Sequence, residues 1–150
     1  MAGKWLMYDN SVRVPLIIFD PRINQHYDVD DMVANVDLAS TILDFAGIDA
    51  KLETHGNSLT PYVKTGHSPY KREELLIEHL WEFEPIPPSE GIRTEKWKFM
   101  RYRDIEAKDE LYDLTTDPEE LKNLAGNPDY ANVVIEMREK LERKIAKYAQ

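Results

Sequence analysis

Residues Gly3–Pro21 read GKWLMYDNSVRVPLIIFDP, and this stretch decides how the rest of the chain can fold. Its second half, Val14–Phe19, is a continuous apolar run rich in β-branched residues and short enough for a strand covered on both faces. Asp20-Pro21 ends the run, because proline cannot donate to a sheet ladder and restricts the residue before it. The first half alternates polar residues with aromatic and apolar ones. The sequence therefore predicts a packed loop that leads into a buried strand.

An amphipathic helix is predicted after this strand and an acidic loop. Asn35 is placed to cap its N-terminus, and Gly47 is placed to end it. Apolar residues recur at helical spacing, at Val36, Ala39, Ile42, Leu43 and Ala46. A strand, a loop and an amphipathic helix in this order are typical of the edge of an α/β layer.

The second half of the chain predicts a small antiparallel sheet covered by a C-terminal helix. The strand candidates are residues 75–80, 92–93, 97–102 and 111–114, with alternating faces. Asp117-Pro118 followed by Glu120 predicts a short capped helix, and Asn127-Pro128 predicts the start of the last helix. The apolar stripe of that last helix consists of Val134, Met137, Leu141, Ile145 and Tyr148.

Composition excludes several classes of function. The 150 residues carry a formal net charge of -9, so electrostatic repulsion disfavours bulk attraction to nucleic acid or to an anionic membrane. The same charge argues against a broad electrostatic attraction to highly anionic polymers, so that any recognition of an anion should be local. The chain has no cysteine, which excludes disulfides and a thiol nucleophile but says nothing about the compartment.

The Gly3–Pro21 stretch, with Lys4 upstream of Arg13-Val14-Pro15-Leu16-Ile17, resembles a segment of the sulfatase family, in its arylsulfatase-like, alkaline-phosphatase-like form. The resemblance continues in the family's order through NVDLASTILDFAGI (35–48), HGNSL (55–59), GIRTEKWK (91–98), ELYDL (110–114), Asp117-Pro118 and Asn123-Leu124. Each piece alone is a weak signal, but their ordered combination is strong. The resemblance covers nearly the whole chain and matches only the C-terminal part of such enzymes.

The resemblance implies a fold in two parts. Residues 1–70 would form the C-terminal end of the sulfatase α/β core domain. Residues 71–150 would form a small C-terminal α+β subdomain, an antiparallel sheet packed by a C-terminal helix. In the family a lysine in an active-site loop contacts the sulfate group, and Lys4 matches that lysine. A fixed ammonium suits both the charge of a sulfate ester and the charge that develops on the bridging oxygen.

Most of the family's catalytic apparatus is missing from the sequence. Family members carry a C-x-P-S-R motif whose cysteine becomes formylglycine, the nucleophile, and Asp-rich segments that hold calcium. Neither motif occurs here, so we expect no cofactor in this chain and no activity of the chain alone. Two alternatives stay open: a non-catalytic accessory or interaction module, and part of a related phosphomonoester or phosphonate hydrolase.

The resemblance also suggests substrate-binding residues. In sulfatases this end of the C-terminal subdomain leans over the mouth of the active site. His79, Glu78 and Trp81, at the end of the first predicted strand, could therefore contact the leaving group of the substrate. Arg93 is more simply read as orienting an interface through charge-assisted hydrogen bonds.

The partners implied by the resemblance are a sulfate ester and the catalytic N-terminal portion of a complete enzyme. A core cut before Lys4 would leave an open strand edge and apolar surface, so we expect the isolated chain to form homo-oligomers. The sequence leaves the cellular compartment open among periplasmic, secreted and cytoplasmic.

Overall fold

The computed structural model describes residues 6–49, 54–80, 87–103 and 109–149. The helices are α1 (Asp9–Val12), α2 (Asp37–Phe45), α3 (Thr60–Thr65) and α4 (Ala131–Tyr148), with a 3₁₀ turn at Pro128–Tyr130 before α4. The strands are β1 (Leu75–His79), β2 (Ser89–Arg93), β3 (Trp97–Tyr102) and β4 (Glu110–Asp113). In these ranges no helix combines the length and apolar character needed to cross a membrane.

The chain forms two compact units by its internal contacts. One unit contains residues 6–14 together with the described residues from Glu74 onwards, and the other contains the described residues of Pro15–Glu73. The segment after Lys4 therefore belongs to the same unit as the sheet. The division into domains at residues 70 and 71 stays a prediction.

The four strands form an antiparallel meander in the order β1-β2-β3-β4, as the alternating pattern predicts. Alternation places Ile92, Phe99 and Leu111 on one face, where all three are fully buried. Lys98, Met100 and Tyr112 belong to the opposite face. Both faces of β3 are therefore covered.

Helix α4 covers the first face through the predicted stripe. Asn127 accepts a hydrogen bond from the Asp129 N–H at 3.0 Å, and Pro128 occupies the first position of the turn that leads into the helix. Met137 and Leu141 are buried against the core of the sheet, with Val134 and Ile145 beside them. The predicted start of the last helix is thus confirmed, and so is its apolar stripe from Val134 to Ile145, whereas Tyr148 is not part of this core.

The loop after β4 is not the short helix that Asp117-Pro118 predicts. The Asp117 carboxylate accepts the N–H groups of Leu121 and Lys122, at 3.0 and 2.8 Å, and so closes a turn. Glu120 has a φ of 56°, in the left-handed region that a continuing right-handed helix excludes. The capping-box interpretation of Glu120 is therefore wrong, and its carboxylate has other partners.

In the second unit, α2 ends as predicted and begins differently. Gly47 follows the helix with a φ of 66°, the conformation that favours glycine after a helix. The N-cap is Val36, without a side-chain hydrogen bond, and the predicted cap at Asn35 is wrong. Asp37, the first residue of α2, has a buried carboxylate that accepts from the N–H of Ala34 at 2.7 Å and from Arg72.

The predicted apolar stripe of α2 does not face the interior of this unit. Its buried residues are Asp37 and Thr41, whereas Val36 and Ile42 are exposed. Thr41 Oγ1 donates to the Asp37 carbonyl and accepts from the Leu59 N–H at 2.9 Å, so that polar contacts join α2 to the segment before α3. The inward face of α2 is thus polar, and part of its apolar stripe has no cover in the described residues.

The predicted buried strand Val14–Phe19 is also wrong for the described structure. These residues form no regular secondary structure, and Ile17 and Phe19 are 89% and 82% exposed. A strand covered on both faces needs paired neighbours at its edges. No other described segment of the chain pairs with this one.

Candidate functional site

The N-terminal segment (residues 6–14) packs on the face of the sheet opposite α4. Met7 is buried with Met100 and Tyr112, and the Tyr8 ring meets Tyr112 edge-on with 6.1 Å between centroids. The chain immediately downstream of Lys4 is therefore part of a small core and not a free terminus. This confirms the predicted packing for residues 6–9, whereas Asp9–Val12 form a short helix instead of the predicted loop, and Val12 and Arg13 are exposed.

Three tyrosine hydroxyls converge on Glu110 at this face. Tyr8 and Tyr112 donate to Oε2 at 2.9 and 2.6 Å, and Tyr102 donates to Oε1 at 2.7 Å. Burial, and then the hydrogen bond to Glu110, raise the pKa of all three hydroxyls. The phenols stay protonated at ordinary pH and act as donors, so this Glu110 cluster ties the segment to β3 and β4.

A second group of contacts, which we call the Asp9 network, consists of Asp9, Arg93, Lys98 and Glu120. The Lys98 ammonium lies 2.7 Å from Asp9 Oδ1 and 2.8 Å from Glu120 Oε1. The Arg93 guanidinium lies 3.2 Å from Asp9 Oδ2, and Glu120 Oε2 accepts the Asp9 backbone N–H at 2.5 Å. Lys98 therefore bridges the carboxylates of Asp9 and Glu120, and Arg93 contacts Asp9. The hydrogen bond from the Asp9 N–H to Glu120 closes the ring of contacts.

Electrostatics keep Asp9 ionised within this network. Burial acts to raise the pKa of Asp9, but hydrogen bonds from Arg93 and Lys98 and their positive charges outweigh it. The net result is a pKa below the usual aspartate value. Asp9 is therefore a carboxylate at neutral pH and can accept hydrogen bonds from Arg93 and Lys98.

The structure describes two of the four predicted site residues and places those two on opposite faces of the sheet. Lys4 and Trp81 lie outside the described residues. His79 pairs with Ser89, and Ser89 pairs with Tyr102, so register puts His79 on the face that carries the N-terminal segment. Glu78 is exposed and alternates to the other face, in register with Glu90. His79 and Glu78 therefore do not share one face.

Sequence reasoning missed the partners that hold the segment. Arg93 was expected at an interface, and it contacts Asp9. Lys98 and Glu120 were given no such role. The one local signal was the alternation of β3, which puts Lys98 on the same face as Met100 and marks a lysine where an apolar residue is expected.

The calcium of the sulfatase resemblance has no ligand set among the described residues, and its formylglycine has no precursor cysteine in the sequence. The sequence has no cysteine to be converted. In the described ranges no group of three or more histidine, aspartate or glutamate side chains is arranged to hold a metal ion. No catalytic step can be assigned to either group here.

Comparison with solved structures defines the class of the fold. The chain is similar to a protein solved in complex with its substrate D-glucosamine-2-N,6-O-disulfate, with 27% identity, a TM-score of 0.67, and coverage of 79% of this chain and 26% of that one. It is also similar to the phosphonate monoester hydrolase of Agrobacterium radiobacter, with 25% identity, a TM-score of 0.68, and the same two coverages, 79% and 26%. The fold is the alkaline-phosphatase-like fold of sulfatases, represented here by its small antiparallel sheet and C-terminal helix.

Residues 2–147 match the family described as N-sulphoglucosamine sulphohydrolase, C-terminal, and the chain belongs to that family. Among curated relatives, an N-acetylglucosamine-6-O-sulfatase of Bacteroides thetaiotaomicron is 32% identical over 151 residues. That match covers 97% of this chain and 27% of the relative. The chain spans about a quarter of the length of the curated relatives it matches.

Proposed function

We propose that this chain acts as the C-terminal part of a sulfatase that hydrolyses an organic sulfate ester, and that Lys4 is its contribution to the reacting group. The observation that carries the proposal is the family match over residues 2–147, which includes Lys4. The anchoring of the segment directly after Lys4 supports it. A catalytic side chain must be held in place, and Met7, Tyr8 and Asp9 all have partners on the sheet.

The role of Lys4 follows from the charge of the substrate. A sulfate ester carries a negative charge, and more charge collects on the bridging oxygen as the S–O bond breaks. An ammonium group next to these oxygens stabilises the transition state more than the ground state, because the charge on the leaving oxygen is still developing. Lys4 would hold the sulfate and that oxygen without itself exchanging a proton.

We further propose a carbohydrate or aryl sulfate as the substrate class, with His79 near the leaving group. One similar protein was solved with its substrate D-glucosamine-2-N,6-O-disulfate, and a curated relative is an N-acetylglucosamine-6-O-sulfatase. His79 is the last residue of β1 and belongs to the same face of the sheet as the N-terminal segment. Trp81, two residues further on, stays a candidate for the same contact, whereas Glu78 is the weaker one because it alternates to the other face.

A phosphonate or phosphomonoester substrate is the second candidate. The similarity to a phosphonate monoester hydrolase favours it, since both reactions place an ammonium next to a tetrahedral anion. The reactions differ in the nucleophile, which this chain lacks. The sulfatase proposal is preferred because the family match and the curated relative are both sulfatases.

The exposed apolar residues of the second unit support a partner. Leu16, Ile17, Phe19, Val36 and Ile42 are all exposed in the isolated chain. Surfaces of this kind mark interaction sites. We propose that the N-terminal catalytic portion of the complete enzyme covers them. Alternatively, a second copy of the isolated chain would cover these residues, or another partner would bind them if the chain is a non-catalytic module.

The test compares two lysine variants in the protein encoded by the complete reading frame. Lys4→Ala should lower kcat/KM for an aryl sulfate by roughly a hundredfold or more, as the loss of one electrostatic contact to the reacting group does. Lys64→Ala, a control at an exposed position of α3, should leave it unchanged. The 150-residue chain alone should show no hydrolysis. Full activity of the Lys4→Ala enzyme would refute the role, and faster hydrolysis of a phosphonate would favour the second candidate.

A further inference from the structure

Lys98 is a lysine in the middle of the sheet with a side chain that is 0% exposed. An ammonium in such a place is costly unless it is paired and hydrogen-bonded. Here both of its partners, Asp9 and Glu120, come from outside the meander, one from each side of it in sequence. The sheet itself does not need this charge, because an apolar residue would fill the same position.

Glu120 is held in an unusual conformation to meet Lys98. Its φ of 56° is in the left-handed region, which a side chain such as glutamate seldom adopts. Such strain persists only where the surroundings enforce it, and it is typical of functional positions. The result is that one carboxylate accepts the backbone N–H of Asp9 at 2.5 Å and also lies 2.8 Å from the Lys98 ammonium.

Asp9 is fixed by both its backbone and its side chain. The Glu120 carboxylate accepts the backbone N–H of Asp9. Lys98 and Arg93 donate hydrogen bonds to the Asp9 carboxylate. Asp9 is five residues after Lys4, so the connecting chain can span at most about 17 Å. Lys4 is therefore joined to a fixed residue by a short covalent link.

We propose that the Asp9 network is a positioning device, which locks the N-terminal segment on the sheet and thereby sets the place of Lys4. This inference rests on the proposed function in so far as it concerns Lys4. None of the four residues needs to touch the substrate. They act through the backbone of the segment, and the pairing of two cations with two carboxylates makes the lock specific to one register.

The first test measures amide hydrogen exchange in the 150-residue chain. Lys98→Met leaves Glu120 without a cation, since Arg93 can still serve Asp9. Exchange of the amides in residues 6–12 should rise roughly tenfold or more, while protection of β2 and β3 changes much less. Tyr8→Phe, the matched control, removes one hydrogen bond to Glu110 but no charge, and its effect on these amides should be smaller.

Two further variants keep the test decisive. Lys98→Met with Glu120→Gln removes the unpaired charge and should restore most of the protection. Asp9→Asn leaves Lys98 paired with Glu120, so that the sheet folds, and it should still loosen the segment. Unchanged exchange in both Lys98→Met and Asp9→Asn would overturn the lock. A double variant no better than Lys98→Met would overturn the charge-pairing argument.

The second test links the lock to Lys4 in the protein encoded by the complete reading frame. With Lys4 present, Lys98→Met should lower kcat by roughly tenfold or more. In a Lys4→Ala background the same substitution should lower kcat little further, because the effects of substitutions at residues that act as one unit are not additive. A loosened segment with unchanged kcat would overturn the positioning role. If Lys4→Ala has no effect of its own, the proposed function fails, and the exchange result still decides whether the lock exists.

Discussion

Glu90→Gln should destabilise the sheet unit more than any other single loss of charge on its helix-covered face. The Glu90 side chain is fully buried in β2, and its carboxylate accepts from Arg101 Nε at 2.9 Å and from Arg103. Arg101 also contacts Glu142 on α4, so one guanidinium joins a buried carboxylate to an exposed one. Glutamine keeps the shape of the side chain and removes its charge.

The magnitude follows from the exposure of the partners. Removing one partner of a buried ion pair costs about 3–5 kcal/mol when the other is left buried. Here the arginines are 26% and 47% exposed and can turn towards water, which reduces the loss. We expect about 2–3 kcal/mol for Glu90→Gln at pH 7, between the buried and the surface values. Glu142→Gln is the matched control, and at an exposed position it should cost about 0–1 kcal/mol.

The pH dependence of the difference gives a second check. Burial acts to raise the pKa of Glu90, but its hydrogen bonds to Arg103 and Arg101 outweigh burial and lower it overall. A lowered folded-state pKa contributes stability above the unfolded value of about 4.3, and this stability is lost as the pH falls through the folded value. The wild type and Glu90→Gln should therefore converge in acid.

Urea unfolding followed by circular dichroism, at pH 7 and in steps towards pH 3, measures both effects. A loss below about 0.5 kcal/mol at pH 7, the range of ordinary surface substitutions, would refute the buried-charge reasoning. So would equal losses for Glu90→Gln and Glu142→Gln, or a gap between wild type and variant that does not narrow in acid.

Three other outcomes follow from the same structure. Leu141→Ala should lower the free energy of unfolding, measured in urea, by about 3–4 kcal/mol. Ile135→Ala, at an exposed position of the same helix, should change it by no more than about 0.5 kcal/mol. Similar losses for the two variants would contradict the packing of α4. Gly56→Ala would put a Cβ 2.0 Å from the carbonyl oxygen of Val36, so amide exchange of that loop should rise; unchanged exchange would mean that the approach is looser. The pKa of Asp9 is lowered in the folded chain, so its contacts should be lost, and the N-terminal segment released, only as the pH falls through that lowered value. NMR shifts of the segment should show this transition in the wild type but not in Asp9→Asn.

The sheet and its helix could be predicted because their signals are local. Alternation in Trp97–Tyr102 indicates a strand, and Asn127-Pro128 indicates a helix start, without reference to distant residues. The resemblance to sulfatases extends over the same segments. The C-terminal helix stripe of Met137 and Leu141 was predicted for the same reason, since one helix face repeats every three or four residues.

The Asp9 network could not be predicted from spacing. Asp9 is separated from Lys98 by 89 residues and from Glu120 by 111, so no local pattern joins them. Glu120 also fitted a capping box three residues after Asp117, and that local interpretation competed with its actual contacts. Tertiary pairing decided the outcome.

The apolar run Val14–Phe19 predicts a strand for a reason that is sound but incomplete. Its composition suits a covered strand, yet a strand exists only where neighbours pair with it. In the chain alone, Ile17 and Ile42 are exposed, and this exposure of apolar surface to water is unfavourable. We expect both to be buried where the remainder of a complete sulfatase is present.

We propose that Lys4 belongs to a sulfatase active site, the rest of which is contributed by the N-terminal catalytic portion of a complete enzyme. The most direct measurement is the DNA sequence immediately upstream of the Met1 codon, translated in all frames. We predict a C-x-P-S-R or S-x-P-S-R motif with Asp-rich metal-binding segments, in frame or displaced by a frameshift. A threonine nucleophile in place of that motif would move the assignment to phosphate or phosphonate chemistry. Unrelated sequence would contradict the claim and leave a binding module without catalysis.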